Sequence, residues 1–189
     1  MSSVNQPFGL KVANHTDGIM TYTEVDIDPA TTAAIKDGQP VSYVPGTGVI
    51  APTTAGPGNR VAGIFAGCYY DAEGRPQNSK HWPGPGIGAQ KAIGYIYDQP
   101  DLVFEVQADG PVSRQMIGSQ GQLANAGLSN SLNTVSLGVL DLATVSAVTT
   151  NQFQIVGIRK DADNDWGDLF TRVLVRVSQH QFRADTLPF

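Results

Sequence analysis

Short runs of apolar residues, rich in valine and aromatic side chains, recur along the chain between turns that are rich in glycine and proline. Runs of this composition, bounded by turn residues, are typical of β-strands. The run at residues 172–180 shows the pattern clearly, because Val173, Val175 and Val177 share one face and Arg176 lies on the other. Such alternation indicates an antiparallel strand with one buried face and one exposed face.

The same pattern predicts strands throughout the chain. Those in its first part are 40–44, 48–51, 61–70, 92–97 and 102–107, and those in its second part are 133–140, 143–149, 153–159 and 172–180. The sequence therefore predicts an all-β fold with one or two very short helices, built from antiparallel barrel or sandwich modules. A turn-rich junction at residues 108–111 divides a module at residues 24–109 from one at residues 110–189, unless the two are fused into one domain.

The first 23 residues are predicted to form an extended N-terminal arm, since residues 1–23 show neither a helical period nor a sustained strand period. Phe8, Leu10 and Val12 do alternate, which predicts one short strand within the arm. Such a strand can pair with the sheet edge of a neighbouring subunit or pack on its own domain. Phe8 and Leu10 are the candidate contact residues of this arm.

One brief helix is predicted near residue 30. Asp28 suits the N-cap position, Pro29 suits the first helical turn, and Gly38 can end the helix. The intervening residues permit a helix of two turns at most.

A long segment between two predicted strands, residues 71–90, holds many glycines and prolines and is predicted to contain no regular element. Loops of this length are uncommon in compact domains and are often functional, so a projecting contact loop is expected. His81 and Trp82 lie at its centre, and tryptophan is enriched at interface hot spots. The alternative is that Trp82 folds back onto its own subunit and caps the β-structure.

Charged residues are scarce: they make up 15% of the chain, against roughly a quarter in typical soluble domains. An assembly that hides part of the surface would explain this, and so would a surface rich in uncharged polar residues. The net charge is -5 and the basic residues are scattered singly, which argues against binding to nucleic acid. We expect no nucleic-acid partner.

Neither secretion nor membrane insertion is expected. The N-terminus lacks a basic stretch followed by an apolar run, and no window approaches about 18 consecutive apolar residues. The single cysteine, Cys68, excludes a disulfide framework within one chain, and both faces of its predicted strand are apolar, which indicates a packing role.

Motifs for catalysis, cofactors or metals are incomplete. Residues 161–167 space three aspartates like the first ligands of a calcium loop, but the glycine falls one residue late and Arg172 stands where a glutamate is needed. An acidic turn between two strands is the simpler interpretation. His15, His81 and His180 are far apart and form no zinc motif. We therefore expect no catalytic, cofactor-binding or metal-binding residues, and no enzyme.

Several phrases of the chain, taken in order, resemble small virion structural proteins of tailed bacteriophages, the head decoration or cement proteins. The resemblance covers most of the chain after residue 37 and lies in the spacing of the phrases at residues 37–44, 61–72, 79–83 and 97–109, and at 153–158 and 175–180. It implies an all-β protein, assembled in the host cytoplasm, on the outer surface of the virion capsid. It implies two partners, the major capsid protein and further copies of the chain, commonly in a homotrimer that bridges capsid subunits. Phe8, Leu10, His81 and Trp82 are then candidate capsid or subunit contacts.

Two other classes of function stay open from the residues. A carbohydrate- or receptor-binding β module of a virion would stack sugar rings on Trp82, Trp166, Tyr69 or Tyr70. A single-strand nucleic-acid binder would need a basic groove with interleaved aromatic residues, and the acidic balance of the chain argues against it.

Overall fold

The computed structural model describes residues 4–14, 20–132, 134–147 and 150–183. Within these ranges it contains twelve strands and one 3-10 turn, Arg114–Met116. The strands are β1 (Lys11–Asn14), β2 (Thr23–Ile27), β3 (Pro40–Tyr43), β4 (Ile50–Pro52), β5 (Gly63–Ala72), β6 (Arg75–Ser79), β7 (Ala89–Tyr97), β8 (Val103–Gln107), β9 (Gln120–Ala124), β10 (Val139–Ser146), β11 (Phe153–Ile158) and β12 (Arg172–Val177). The predicted all-β fold is confirmed.

The strands form two antiparallel sheets in a sandwich-like arrangement, and neither closes into a barrel. Sheet A has the strand order β1-β8-β12-β11-β9-β10, and sheet B has the order β2-β7-β5-β3-β4, with β6 paired to β5. Both sheets curl. In sheet A an isolated bridge joins Ala108, just after β8, to Leu140 of β10, and in sheet B one joins Asp26 of β2 to Val49, just before β4.

Each sheet buries its own apolar cluster, because alternate residues of its strands point to the inside of the curl. In sheet A, Phe104, Val175 and Phe153 lie on three neighbouring strands and are fully buried. In sheet B, Phe65 and Ile96 occupy the equivalent inner positions. Burial of each such side chain stabilises the fold by about 1.5–3 kcal/mol.

The described part of the N-terminal arm packs on its own chain. Strand β1 pairs with β8, and the backbone N–H of Leu10 donates to the carbonyl of Gly38 at 3.0 Å. Of the two predicted alternatives for the arm, pairing within the same subunit is therefore the one observed. Residues 1–3 and 15–19 of the predicted arm lie outside the described residues. Since β8 also pairs with β12, sheet A takes strands from both sides of the predicted boundary at residue 109.

The predicted helix near residue 30 is wrong. Asp28 does cap a turn, since its carboxylate accepts a hydrogen bond from the backbone N–H of Ala30 at 2.9 Å. The N–H of Thr32 donates to the Asp28 carbonyl, but the turn ends there. Ile35 is instead fully buried and forms a β-bridge with Trp82. A tertiary contact thus overrides a favourable cap, whose contribution is only about 1 kcal/mol.

The prediction that residues 71–90 hold no regular element is also wrong. Strand β5 continues to Ala72, and β6 returns alongside it as a hairpin. The two turn residues, Glu73 and Gly74, have φ angles of 53° and 75°. Positive φ at both central positions is the geometry that connects antiparallel strands by the shortest turn. The hairpin strand β6 is largely exposed.

The two sheets are joined by a connector that follows β12, residues 178–182. Its backbone bonds Val61, two residues before β5, on both sides: the N–H of Val61 donates to the Gln179 carbonyl, and the N–H of Gln181 donates to the Val61 carbonyl. The side-chain amide of Gln181 also exchanges two hydrogen bonds with the backbone of Tyr43, at 2.7 and 3.1 Å. Sheet B is therefore tied to the end of sheet A by backbone-directed contacts.

Candidate interaction surfaces

Trp82 lies in the core of sheet B. Its side chain has 0% of its surface exposed, and its indole N–H donates to the carbonyl of Thr32 at 3.0 Å. The ring of Tyr70 packs edge-on against it, with 5.5 Å between ring centroids. The prediction of a projecting Trp82 anchor is therefore wrong, and the alternative, that Trp82 packs into its own subunit, is confirmed.

The other predicted contact residues are dispersed. Leu10 is buried, while Phe8 is partly buried and holds the ammonium of Lys11 4.6 Å above its ring. His81 is partly buried after β6, and its Nδ1 lies 3.1 Å from the Ser79 hydroxyl. Burial and, less strongly, the positive charge of Lys36 lower the pKa of His81. Phe8 and Leu10 precede sheet A's edge strand, whereas His81 follows a strand of sheet B.

Cys68 packs in the core of sheet B and is poorly suited to chemistry. Burial raises the pKa of its thiol to about 12, and the thiol donates to the His81 carbonyl. Within the described ranges, no group of three or more histidine, cysteine or acidic side chains is placed to hold a metal ion. His15, one of the three histidines considered above, lies outside the described residues.

Residues 161–167 form an acidic turn between β11 and β12, as the simpler interpretation predicted. The guanidinium Nη2 of Arg172 lies 3.1 Å from the Asp161 carboxylate and 2.6 Å from that of Asp163. The same guanidinium also reaches Glu105 at 3.9 Å. An arginine of this chain therefore neutralises the carboxylates that a calcium ion would need.

The side chain of Asn164 anchors the acidic turn to the two strands that flank it. Its side chain is buried and makes three hydrogen bonds to backbone: its Nδ2 donates to the carbonyls of Arg159 and Arg172 at 2.7 and 3.0 Å, and its Oδ1 accepts from the Arg172 N–H at 2.7 Å. These bonds fasten the turn to both flanking strands. The turn consequently forms a defined wall beside the outer face of sheet A.

That wall borders a groove of about 720 Å³, the sheet A groove. Apolar side chains and charged side chains of both signs line it; they include Ile117, Val156, Trp166 and Leu174, with Arg114, Lys160, Asp161 and Asp165. Val156 faces outward because it alternates with the buried Ile155, and a β-bulge between Ile155 and Gly157 then returns Ile158 to the inner face. Ile117 is 48% exposed. The groove therefore leaves large apolar side chains accessible on a sheet face.

A second surface, the tyrosine face, lies on the outside of sheet B. Cross-strand pairing places Glu24 opposite Tyr95, and Asp26 opposite Ile93, which is itself opposite Tyr69. Cross-strand partners share a face. Tyr22 packs edge-on against Tyr95, with 5.0 Å between the ring centroids. We define the tyrosine face as Tyr22, Glu24, Asp26, Tyr69, Ile93 and Tyr95.

The protonated hydroxyl of Tyr95 is favoured on this face. Burial and then the negative charge of Glu24 raise the pKa of Tyr95. Glu24 and Asp26 are themselves exposed, as is Tyr22, with 58% of its surface accessible. The tyrosine face therefore combines aromatic rings with exposed carboxylates.

Sequence reasoning missed both surfaces. The sequence did contain a signal for the tyrosine face: in residues 92–97 the side chains on both faces of the predicted strand are largely apolar or aromatic. The groove had none, because it depends on the position of the acidic turn and on the docking of the segment around Ile117 beside β11. No significant match was found to a protein-family model, a curated protein or a solved structure. No helix in the described ranges is long and apolar enough to cross a membrane.

Proposed function

We propose that this protein is a structural virion protein that binds the exterior of an icosahedral phage capsid and stabilises it by bridging major capsid subunits, as a homotrimer. The observation that carries the proposal is the sheet A groove, an accessible apolar surface on an otherwise well-packed β-scaffold. The identity of the partner comes from the resemblance to decoration proteins described above.

The chemistry of the groove suits contact with a protein. Exposed apolar surface rimmed by polar residues is typical of interaction sites. Ile117, Val156 and Trp166 supply apolar and aromatic surface, and two basic and two acidic side chains supply charge: Arg114, Lys160, Asp161 and Asp165. Interfaces are commonly organised in this way, with an apolar centre inside a polar rim.

A scaffold of this kind stabilises a shell through mass action. A ligand that binds the assembled shell but not its separated subunits shifts the equilibrium towards assembly. When copies are linked in a symmetric oligomer, each contact already made raises the effective concentration of the next. Weak contacts that symmetry repeats are then sufficient, and no catalytic group is required.

Co-sedimentation with undecorated, expanded shells of the cognate virus tests the proposal. We expect saturable binding of the wild-type chain, with a copy number that matches threefold positions. Ile117→Asp places a charge in the groove and should weaken binding by at least about tenfold, since an unpaired buried charge is costly. Leu132→Asp is the matched control, because Leu132 is 76% exposed and does not line the groove.

Two results would overturn the proposal or its site. A folded wild-type chain that fails to sediment with shells would remove the capsid role. Equal binding of Ile117→Asp and wild type would leave the role but remove the groove from it. A carbohydrate-binding module is the alternative, and it has lost two of its predicted stacking residues, since Trp82 and Tyr70 are buried. Saturable quenching of Trp166 fluorescence by a soluble glycan, without shell binding, would favour that alternative.

A further inference from the structure

We infer that the tyrosine face is a second docking surface, and that its partner is a protein segment bearing lysine and arginine side chains. The inference deepens the proposed function. It rests on that function only for the assignment of the basic segment to a protein of the capsid shell. The groove on sheet A and the tyrosine face on sheet B would then give each subunit two separate contacts.

The residues of β7 that lie on the tyrosine face are more apolar than those of an ordinary solvent-exposed strand face. Ala92 and Ile96 of this strand point into the core of sheet B, so solvent-facing positions between them would ordinarily be polar. Instead Ile93 and Tyr95 occupy them, next to Tyr69 of β5. A strand that is apolar on both faces is typical of one covered on both sides. Within the single chain this outer face is only partly buried.

The charges beside the rings determine the kind of partner. Glu24 lies opposite Tyr95, and Asp26 lies opposite Ile93, so two exposed carboxylates flank the aromatic surface. Lys91 lies one row further along β7, opposite Asp71. Cations bind both to carboxylates and to the faces of tyrosine rings, and arginine does so most often. A segment that carries lysine or arginine therefore satisfies both features of this face at once.

A second copy of the chain fits this face less well. The chain carries a net charge of -5, so a copy would bring further negative charge towards Glu24 and Asp26. Like charges brought together at an interface are unfavourable. A neutral glycan would use the rings but gain nothing from the carboxylate charge. The charge of the face therefore favours a basic protein segment over either of these occupants.

Aromatic NMR spectroscopy of the full chain tests the inference without shells. We would titrate a short peptide of alternating lysine and glycine at low salt, with an alternating glutamate and glycine peptide and a neutral oligosaccharide as comparison probes. We expect saturable shifts of the Tyr22 and Tyr95 ring signals with the basic peptide only. The double variant Glu24→Gln, Asp26→Asn should bind it about three- to tenfold more weakly. Glu73→Gln on the exposed β5–β6 turn removes one charge elsewhere and should bind as wild type does.

The same variants in the shell assay separate this inference from the proposed function. If wild type binds shells and the double variant binds more weakly, with a smaller dependence on salt, the face is a shell contact. If the double variant binds shells and peptide as wild type does, the inference is wrong although the proposed function stands. Shifts with the oligosaccharide in place of the basic peptide would also overturn it. If wild type binds the basic peptide but no shells, the proposed function fails and the docking chemistry of the face survives.

Discussion

Replacement of Asn164 by alanine should destabilise the protein far more than removal of its exposed ion-paired neighbour. Asn164 is 1% exposed and makes three hydrogen bonds that join the acidic turn to β11 and β12. The carbonyls of Arg159 and Arg172 each accept another backbone N–H, from Asp161 and Arg159, and therefore keep one partner after the change. The N–H of Arg172 loses the bond that Asn164 supplies.

The magnitude follows from these three bonds. A buried hydrogen bond contributes about 1 kcal/mol net, and a buried donor left unpaired costs about 1–3 kcal/mol. We therefore expect Asn164→Ala to lower the free energy of unfolding by about 3 kcal/mol. For a chain of this size that corresponds to a fall in Tm of roughly 6–12 °C, at about 2–4 °C for each kcal/mol.

Asp163→Asn is the matched control in the same turn. The Asp163 side chain is 70% exposed, and its ion pair with Arg172 should contribute only about 0–1 kcal/mol. Urea unfolding followed by circular dichroism measures both variants, with the slope m checked for constancy. A loss below about 1 kcal/mol for Asn164→Ala, or equal losses for the two variants, would refute the reasoning that buried amide contacts hold this turn.

Three further predictions concern the cores and the connector. Trp82→Ala should lower the free energy of unfolding by about 3–5 kcal/mol, read by urea unfolding, and a loss near zero would contradict its burial. Cys68 should resist a thiol reagent in the folded protein and react in urea, because burial raises its pKa to about 12; fast native labelling would contradict this. Burial lowers the pKa of His180 below 6.5; the charge of Arg183 lowers it further, whereas Asp98 raises it. Below about pH 6.5 the unfolded chain therefore binds a proton at this histidine more readily than the folded chain does. Stability should fall as the pH drops below that value, and urea midpoints for His180→Gln should fall less; identical pH profiles would contradict the assignment.

Strands with a strong alternating pattern could be predicted from the sequence to within a few residues. The closing run contains β12 (Arg172–Val177), and the run at 102–107 contains β8 (Val103–Gln107). In both strands alternate apolar side chains are buried, so the apolar pattern of the strand itself indicates which of its faces is buried. The predicted strands 133–140 and 143–149 proved to be one strand, β10 (Val139–Ser146); residues 133, 148 and 149 lie outside the described residues.

Strand β9 shows what local pattern could not provide. Its sequence, Gln120–Ala124, contains a glycine and two glutamines, and it was not among the predicted strands. It becomes a strand because β10 and β11 pair with it on either side. Gly121 is required there, since a Cβ at this position would lie 2.8 Å from a methyl group of Val145. This strand is therefore specified by its neighbours and by the lack of a side chain.

The candidate surfaces were unpredictable for a related reason. Trp82 was the strongest interface signal in the sequence, yet its indole N–H finds a buried carbonyl and its ring finds Tyr70, so it contributes to the core. Val156 alternates with the buried Ile155, faces outward and lines the sheet A groove instead of the core. Residue type indicates that a side chain favours an apolar or aromatic contact. Whether that contact lies inside the chain or outside depends on register, which pairing across the sheet decides.

The proposed contacts lie on different sheets, which makes the junction between the sheets part of any bridging role. Two linked contacts reinforce each other only when their spacing is held near the span that they must bridge. The connector supplies such a restraint: Gln181 is bonded through its side chain to the Tyr43 backbone, and through its backbone to Val61. Gln152 adds a second one, since its side-chain amide donates to the carbonyls of Thr54 and Asn59. Amide side chains that bind backbone fix position without adding charge. The scarcity of charge in this chain is therefore compatible with a rigid junction between two separate binding surfaces.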